Sequence, residues 1–72
     1  LLKKRINTPA KLIDKKINFT KKDSNFLLIF ELYTGSKLTF SVNSFLYSEI
    51  LIGDKGIITY SKDKLINFKK KY

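Results

Sequence analysis

The sequence predicts an all-β fold, a small five-stranded antiparallel barrel with one short helical turn between strands 3 and 4. Three stretches carry that prediction. Phe26 to Tyr33 is strongly apolar and Lys37 to Val42 alternates, with Thr34-Gly35-Ser36 between them, the pattern of a β-hairpin. Asn43-Ser44 offers two N-caps to a helical turn through Ser48. Gly53-Asp54-Lys55-Gly56, between Leu51-Ile52 and Ile57-Ile58, marks a tight change of direction rather than a reactive loop.

The elements follow in order. Residues 1–7 read as a basic flanking arm without helical or strand period, and residues 8–70 as the single barrel domain. Pro9 lacks an amide donor and suits a strand's first position, so the first strand is expected from Ala10 to Phe19. Ala10 and Leu12 have one parity, Ile17 and Phe19 the other. All four face inward only if one residue is inserted, which predicts a bulge near Asp14. Lys21 to Asn25, Asp23 included, make a polar turn.

A Thr34-Gly35-Ser36 loop would oppose Leu32 with Leu38, Phe30 with Phe40 and Leu28 with Val42, gathering six apolar residues on one face as the central core. A two-residue loop would instead set Glu31 across from Leu38, burying a carboxylate at a cost of several kcal/mol. In the helical turn, Phe45 or Leu46 and then Tyr47 should meet the core; so short a helix is held by packing. Gly56 to Ser61 and Lys64 to Lys70 read as the last two strands. A Lys62-Asp63 loop pairs Tyr60 with Leu65 and Ile57 with Phe68, leaving the interior face ambiguous, and Lys69 to Tyr72 should fray.

Composition excludes more than it assigns. With 72 residues the chain makes one domain with a small core, and no large substrate cleft is expected. There is no Cys for a disulfide or thiolate metal site and no His, the commonest general base and metal ligand. Ser36, Ser41, Ser44 and Ser48 therefore have no triad partner. Asp54 and Glu49 are the one carboxylate pair to weigh for acid–base work, yet an Asp beside glycine is more often a turn residue bonding local amides. The Gly53–Gly56 spacing is not that of a phosphate-binding loop, and the six acids are too scattered for calcium. No catalytic, cofactor-binding or metal residue is assigned.

Net charge is +9, unevenly placed: residues 1–22 carry +7, residues 23–61 carry −2 and residues 62–72 carry +4. Basic ends on a near-neutral body suit an anionic membrane surface or nucleic acid, and equally a solvated lysine coat in a chain rich in Lys, Ile and Asn. No apolar run approaches the ~18 residues of a membrane span. The first residue is Leu rather than Met, which suggests a piece or processed product of a longer chain.

Five short strands with a helical turn after the third match the topology of an oligonucleotide/oligosaccharide-binding (OB-like) barrel, and topology does not give function. The residues also carry a family resemblance. Thr8-Pro9-Ala10-Lys11-Leu12-Ile13-Asp14-Lys15-Lys16, Phe30-Glu31-Leu32 with Gly35, Phe40-Ser41-Val42, Tyr47, Gly53-Asp54-Lys55-Gly56 and Thr59-Tyr60 together resemble the bacterial family catalogued as domain of unknown function 2500, over about residues 8–68. After Tyr60, Ser61-Lys62-Asp63-Lys64-Leu65 departs from that family's usual Gln-Gly-Thr-Arg-Phe-like turn. The resemblance implies a compact β-barrel domain, often behind an N-terminal membrane helix, with no assigned activity and no catalytic residue to carry over.

The expectation is thus a non-catalytic interaction or structural domain of a bacterial, membrane-anchored protein, meeting an unknown protein partner or an anionic membrane surface. Lys3-Lys4-Arg5 would place it on the cytoplasmic side by the positive-inside rule. The alternative is an OB-like nucleic-acid-binding module in which lysines track phosphates and exposed rings such as Tyr33 and Tyr60 stack bases. Two exposed aromatics on one sheet face, ringed by Lys, would favour the alternative.

Overall fold

Six elements succeed one another in the computed structural model, which describes residues 4–22, 24–62 and 64–71. They are β1 (Ile6–Phe19), β2 (Ser24–Leu32), β3 (Lys37–Val42), α1 (Ser44–Glu49), β4 (Lys55–Ser61) and β5 (Lys64–Lys70). Every pairing is antiparallel and the sheet order is β3-β2-β1-β4-β5, so β1 joins two hairpins, β2–β3 and β4–β5.

Alternation along each strand sends one set of side chains inward. Ala10, Leu12, Leu28, Phe30, Phe40, Ile50, Ile58 and Leu65 are buried, and Leu32, Leu38, Val42, Tyr47, Tyr60 and Phe68 pack around them. The sheet rolls over this face. Phe68 of β5 reaches Phe30 of β2 at 5.6 Å between ring centroids, and Tyr60 of β4 reaches Phe40 of β3 at 5.4 Å. In a flat sheet those strands lie three spacings, ~14 Å, apart. β3 and β5 approach to within 8 Å between Cα atoms. Among the described residues no ladder joins them, so the closed, OB-like barrel is corrected to a rolled, open sheet. The rings that fill the roll pack across it.

β1 starts earlier than expected. Ile6 and Asn7, assigned to the arm, pair with Tyr60 and Thr59, while Leu1, Leu2 and Lys3 lie outside the described residues. Pro9 is inside the strand rather than at its start. Leu12 donates its N–H to the Asp54 carbonyl (2.9 Å) and accepts from the Gly53 N–H (2.8 Å), both on the β4 flank. Alternation turns Pro9 to the other flank, beyond the last β2 pairing of Ala10 with Leu32, where its missing donor costs nothing.

The bulge is found between Leu12 and Asp14. It puts Ile17 and Phe19 on the core-side face with Ala10 and Leu12, but not in the core. β4 pairs with β1 only as far as Lys11, so the far β1–β2 ribbon overhangs, and Phe19 is 76% exposed.

The β2–β3 register is two residues from the expected one, pairing Phe30 with Leu38, Leu28 with Phe40 and Phe26 with Val42. Leu32 accepts from the Gly35 N–H (2.9 Å) and donates to the Ser36 carbonyl (2.8 Å), closing a three-residue loop, Tyr33-Thr34-Gly35. Gly35 is its third residue at φ +92°, a left-handed position that a Cβ disfavours. A slip of two preserves faces, so the expected core residues still turn inward.

Asn43 caps α1 by accepting the Leu46 N–H at 2.8 Å. Phe45 is exposed, whereas Leu46 and Tyr47 are half-buried, Tyr47 against Phe26 at 5.2 Å with the Lys15 ammonium 4.5 Å from its centroid. In the last hairpin Tyr60 opposes Leu65 as expected, but an irregularity between Thr59 and Tyr60 sets Ile58, not Ile57, across from Phe68. Ile58, Tyr60, Leu65 and Phe68 are therefore the inward set. Lys62 takes φ 56°, the hand of a primed hairpin turn. Lys69 and Lys70 are strand rather than frayed, and Asp23, Asp63 and Tyr72 lie outside the described residues.

Gly56 is not a turn residue either. It lies buried in β4, where a Cβ would collide with the Lys69 carbonyl oxygen and come within 2.9 Å of Lys70 Cα. Gly56→Ala should accordingly destabilise by about 1–3 kcal/mol in urea titration, and equal stability of the two proteins would show that β4 and β5 can separate freely. Phe40→Ala empties a site touching both Phe30 and Tyr60, and should cost about 3–5 kcal/mol. An unchanged melting temperature would mean that the inward face is not the core.

Candidate functional site

The outward face is organised by the same register. Lys37 opposes Glu31, Glu31 opposes Lys11, and Lys11 opposes Lys55. The Lys71 N–H donates to the Lys55 carbonyl at 2.9 Å, continuing the row onto the end of β5. One band of side chains thus crosses all five strands with four cations and a single acid. Like charges directly opposed across strands are destabilising, roughly 0.2–1 kcal/mol each. Among the described residues the one ion pair lies elsewhere, between Lys70 and Asp54 at 3.2 Å; Lys11 has Glu31 opposite it on β2, while Lys55 faces only cations, Lys11 and Lys71.

Beside this band runs an apolar row. Pro9 opposes Ile57, which is 40% exposed, and Tyr33 at the β2–β3 loop is 79% exposed. Pro9, Ile57, Tyr33 and the three lysines line one open groove of about 430 Å³, with Ala10, Leu32 and Gly56 at its base and Glu31 on its rim. An apolar floor under a cationic rim can hold an anionic group that carries hydrocarbon.

Sequence reasoning missed this row. Its one readable trace was Lys55 beside the Gly53 turn, but nothing local says that Lys11 lies opposite, because the β1–β4 pairing spans most of the chain.

The expected stacking rings fare unequally. Tyr33 is free, but Tyr60 turns inward onto Phe40. Exposed Phe19 and Phe45 stand on the overhanging ribbon and on α1.

Asp54 and Glu49 both line a second cavity of about 140 Å³, together with Lys70 and Phe68. Asp54 is committed to structure, accepting the Leu51 N–H at 2.9 Å and pairing with Lys70. Those contacts, the Leu51 amide first, hold its carboxyl below its ordinary value. A carboxylate so held is a poor proton donor at neutral pH. Ser48 spends its hydroxyl on the Ser44 and Phe45 carbonyls.

Fold and groove together define a small rolled β-domain with a basic outer surface. An X-ray crystal structure of DUF2500 from Klebsiella pneumoniae has the same fold, at TM-score 0.83 and 15% identity, covering 93% of this chain and 98% of that one. The family resembled in sequence and the family of this structural neighbour coincide. At that identity the likeness shows the fold. No protein-family model and no curated protein matches the sequence.

Asp54 supplies a pH prediction. A folded-state pKa depressed below 3.8 means that the carboxylate stabilises the fold above that pH, and that this contribution disappears as pH falls through the folded value. Asp54→Asn should lower the melting temperature at pH 7 and lose less than the wild type between about pH 5 and pH 2. Parallel acid limbs would separate this carboxylate from folding.

Proposed function

We propose that this is a non-catalytic interaction domain of a bacterial, membrane-anchored protein of the resembled family, and that its outer face docks on the anionic cytoplasmic bilayer surface. The observation that carries this reading is the row Lys11, Lys55 and Lys71, three cations against the single acid Glu31, beside exposed Tyr33 and Ile57. Near an anionic leaflet each cation contributes about 1 kcal/mol. A tyrosine ring, apolar in body and polar at its tip, suits the headgroup layer. Lys4 and Arg5 precede β1 and would add to the attraction. An anchor upstream is what the resemblance implies; among the described residues no helix is long and apolar enough to cross a membrane.

Nucleic acid is the second reading, favoured by the same lysines and by a strand order and helix placement like those of OB-like barrels. It is weakened by Tyr60, which is packed inward and leaves Tyr33 without a companion ring in the groove among the described residues.

Vesicle co-sedimentation tests the ranking. At ~0.1 M salt the domain should bind phosphatidylglycerol-containing vesicles and not phosphatidylcholine vesicles, and should release as salt rises. Replacing Lys11, Lys55 and Lys71 together by Gln should weaken binding about tenfold or more. Indifference to lipid charge would refute docking, and tight single-stranded nucleic-acid binding surviving ~0.2 M salt would promote the alternative.

A further inference from the structure

We propose that the outer groove seats one phosphate-headed lipid molecule, its phosphate among Lys11, Lys55 and Lys71 and its hydrocarbon against Tyr33, Pro9 and Ile57. The inference rests on the docking reading and sharpens it from a charged surface to a site with one occupant.

Geometry sets the headgroup. The three lysines come from neighbouring strands β1, β4 and the end of β5, so their backbones span two strand spacings, ~10 Å, well within reach of flexible four-carbon stems closing on one phosphate. Glu31, facing Lys11 from β2, bars a second anion from the Lys37 side and confines phosphate to the β1–β4–β5 half of the row. A site that keeps three like charges together against the single acid Glu31 gives up folding stability, and bound phosphate restores it.

The floor selects what the phosphate must carry. About 430 Å³ is within the range of small-molecule sites and far more than a bare phosphate fills. A free phosphate would leave Ile57 and Tyr33 wet, while acyl carbons laid along them exclude that water at ~0.8 kcal/mol per buried CH₂. A nucleotide would want a second ring to sandwich its base, and among the described residues Tyr33 is the one aromatic side chain lining the groove.

Dihexanoylphosphatidic acid below its micellar concentration is the probe, titrated calorimetrically into the whole chain beside inorganic phosphate and dihexanoylphosphatidylcholine. The expected result is saturable one-to-one binding of the phosphatidic acid, about tenfold or more tighter than either control, the gain that two buried methylenes give. Ile57→Ser and Tyr33→Ser should narrow the gap between lipid and phosphate. Lys55→Gln should weaken both. Circular dichroism verifies that each variant is folded. Lipid binding no tighter than phosphate, or unmoved by Ile57→Ser and Tyr33→Ser, overturns the inference. Vesicle binding without short-chain lipid binding rejects the groove and keeps surface docking; the reverse keeps the groove and rejects surface docking.

Discussion

The molecule depends on a run of four aromatic rings. Phe68 touches Phe30, Phe30 touches Phe40 at 6.1 Å, and Phe40 touches Tyr60, so the run passes through β5, β2, β3 and β4. Two of the three contacts cross the roll and bring together strands that share no ladder. Each tilted pair adds about 0.5–1.5 kcal/mol beyond the area it buries. In a chain of 72 residues with no cysteine, these contacts do the work that a staple does in other small domains. They also set the curvature of the opposite face, since a strand that curls around a ring must bend its outer side chains with it.

That division of faces explains the lysine row. The inner face takes the large apolar side chains, so chemistry has only the outer face to use, and there the sequence departs from what stability alone would choose. Opposed Lys11 and Lys55 are a local conflict, met by an acid on the β2 side alone. Glu31 opposite both Lys11 and Lys37 shows that the same sheet can supply an alternating neighbour, and on the β4 side it does not. Asp54, the nearest acid in sequence to Lys55, is occupied with Leu51 and Lys70 instead. Such conflicts belong at surfaces that meet a partner.

Local features were legible and non-local ones were not. The parity clash between Leu12 and Ile17 announced the bulge, and Asn43 announced the helix, because both signals lie within a few residues. The β2–β3 loop lies one residue earlier than Thr34-Gly35-Ser36. A three-residue loop wants its left-handed glycine last, which makes Tyr33-Thr34-Gly35 the loop, although the apolar run from Phe26 reads through Tyr33. The last hairpin misled because Ile57-Ile58 and Leu65-Ile66 present apolar residues to both faces, so parity could not reveal the irregularity beside Tyr60. Gly56 looked like half of a turn because its reason lies across the sheet, in the Lys69–Lys70 backbone. The groove was illegible for the same reason, as it exists only where β1 meets β4.

The central position of β1 has a kinetic consequence. The β2–β3 and β4–β5 hairpins need only short loops and form on the microsecond scale of isolated hairpins. Uniting them requires β1 to find β4, an encounter typified by the Thr59 hydroxyl bonding the Asn7 side chain across 52 positions of sequence. Loop-closure entropy grows slowly with length, about 0.6 kcal/mol per doubling, so the long connection takes little from stability. It acts on rate, because the ordering cost must be met before the contact returns anything. Folding speed is thereby tied to the same junction that brings Lys11 opposite Lys55.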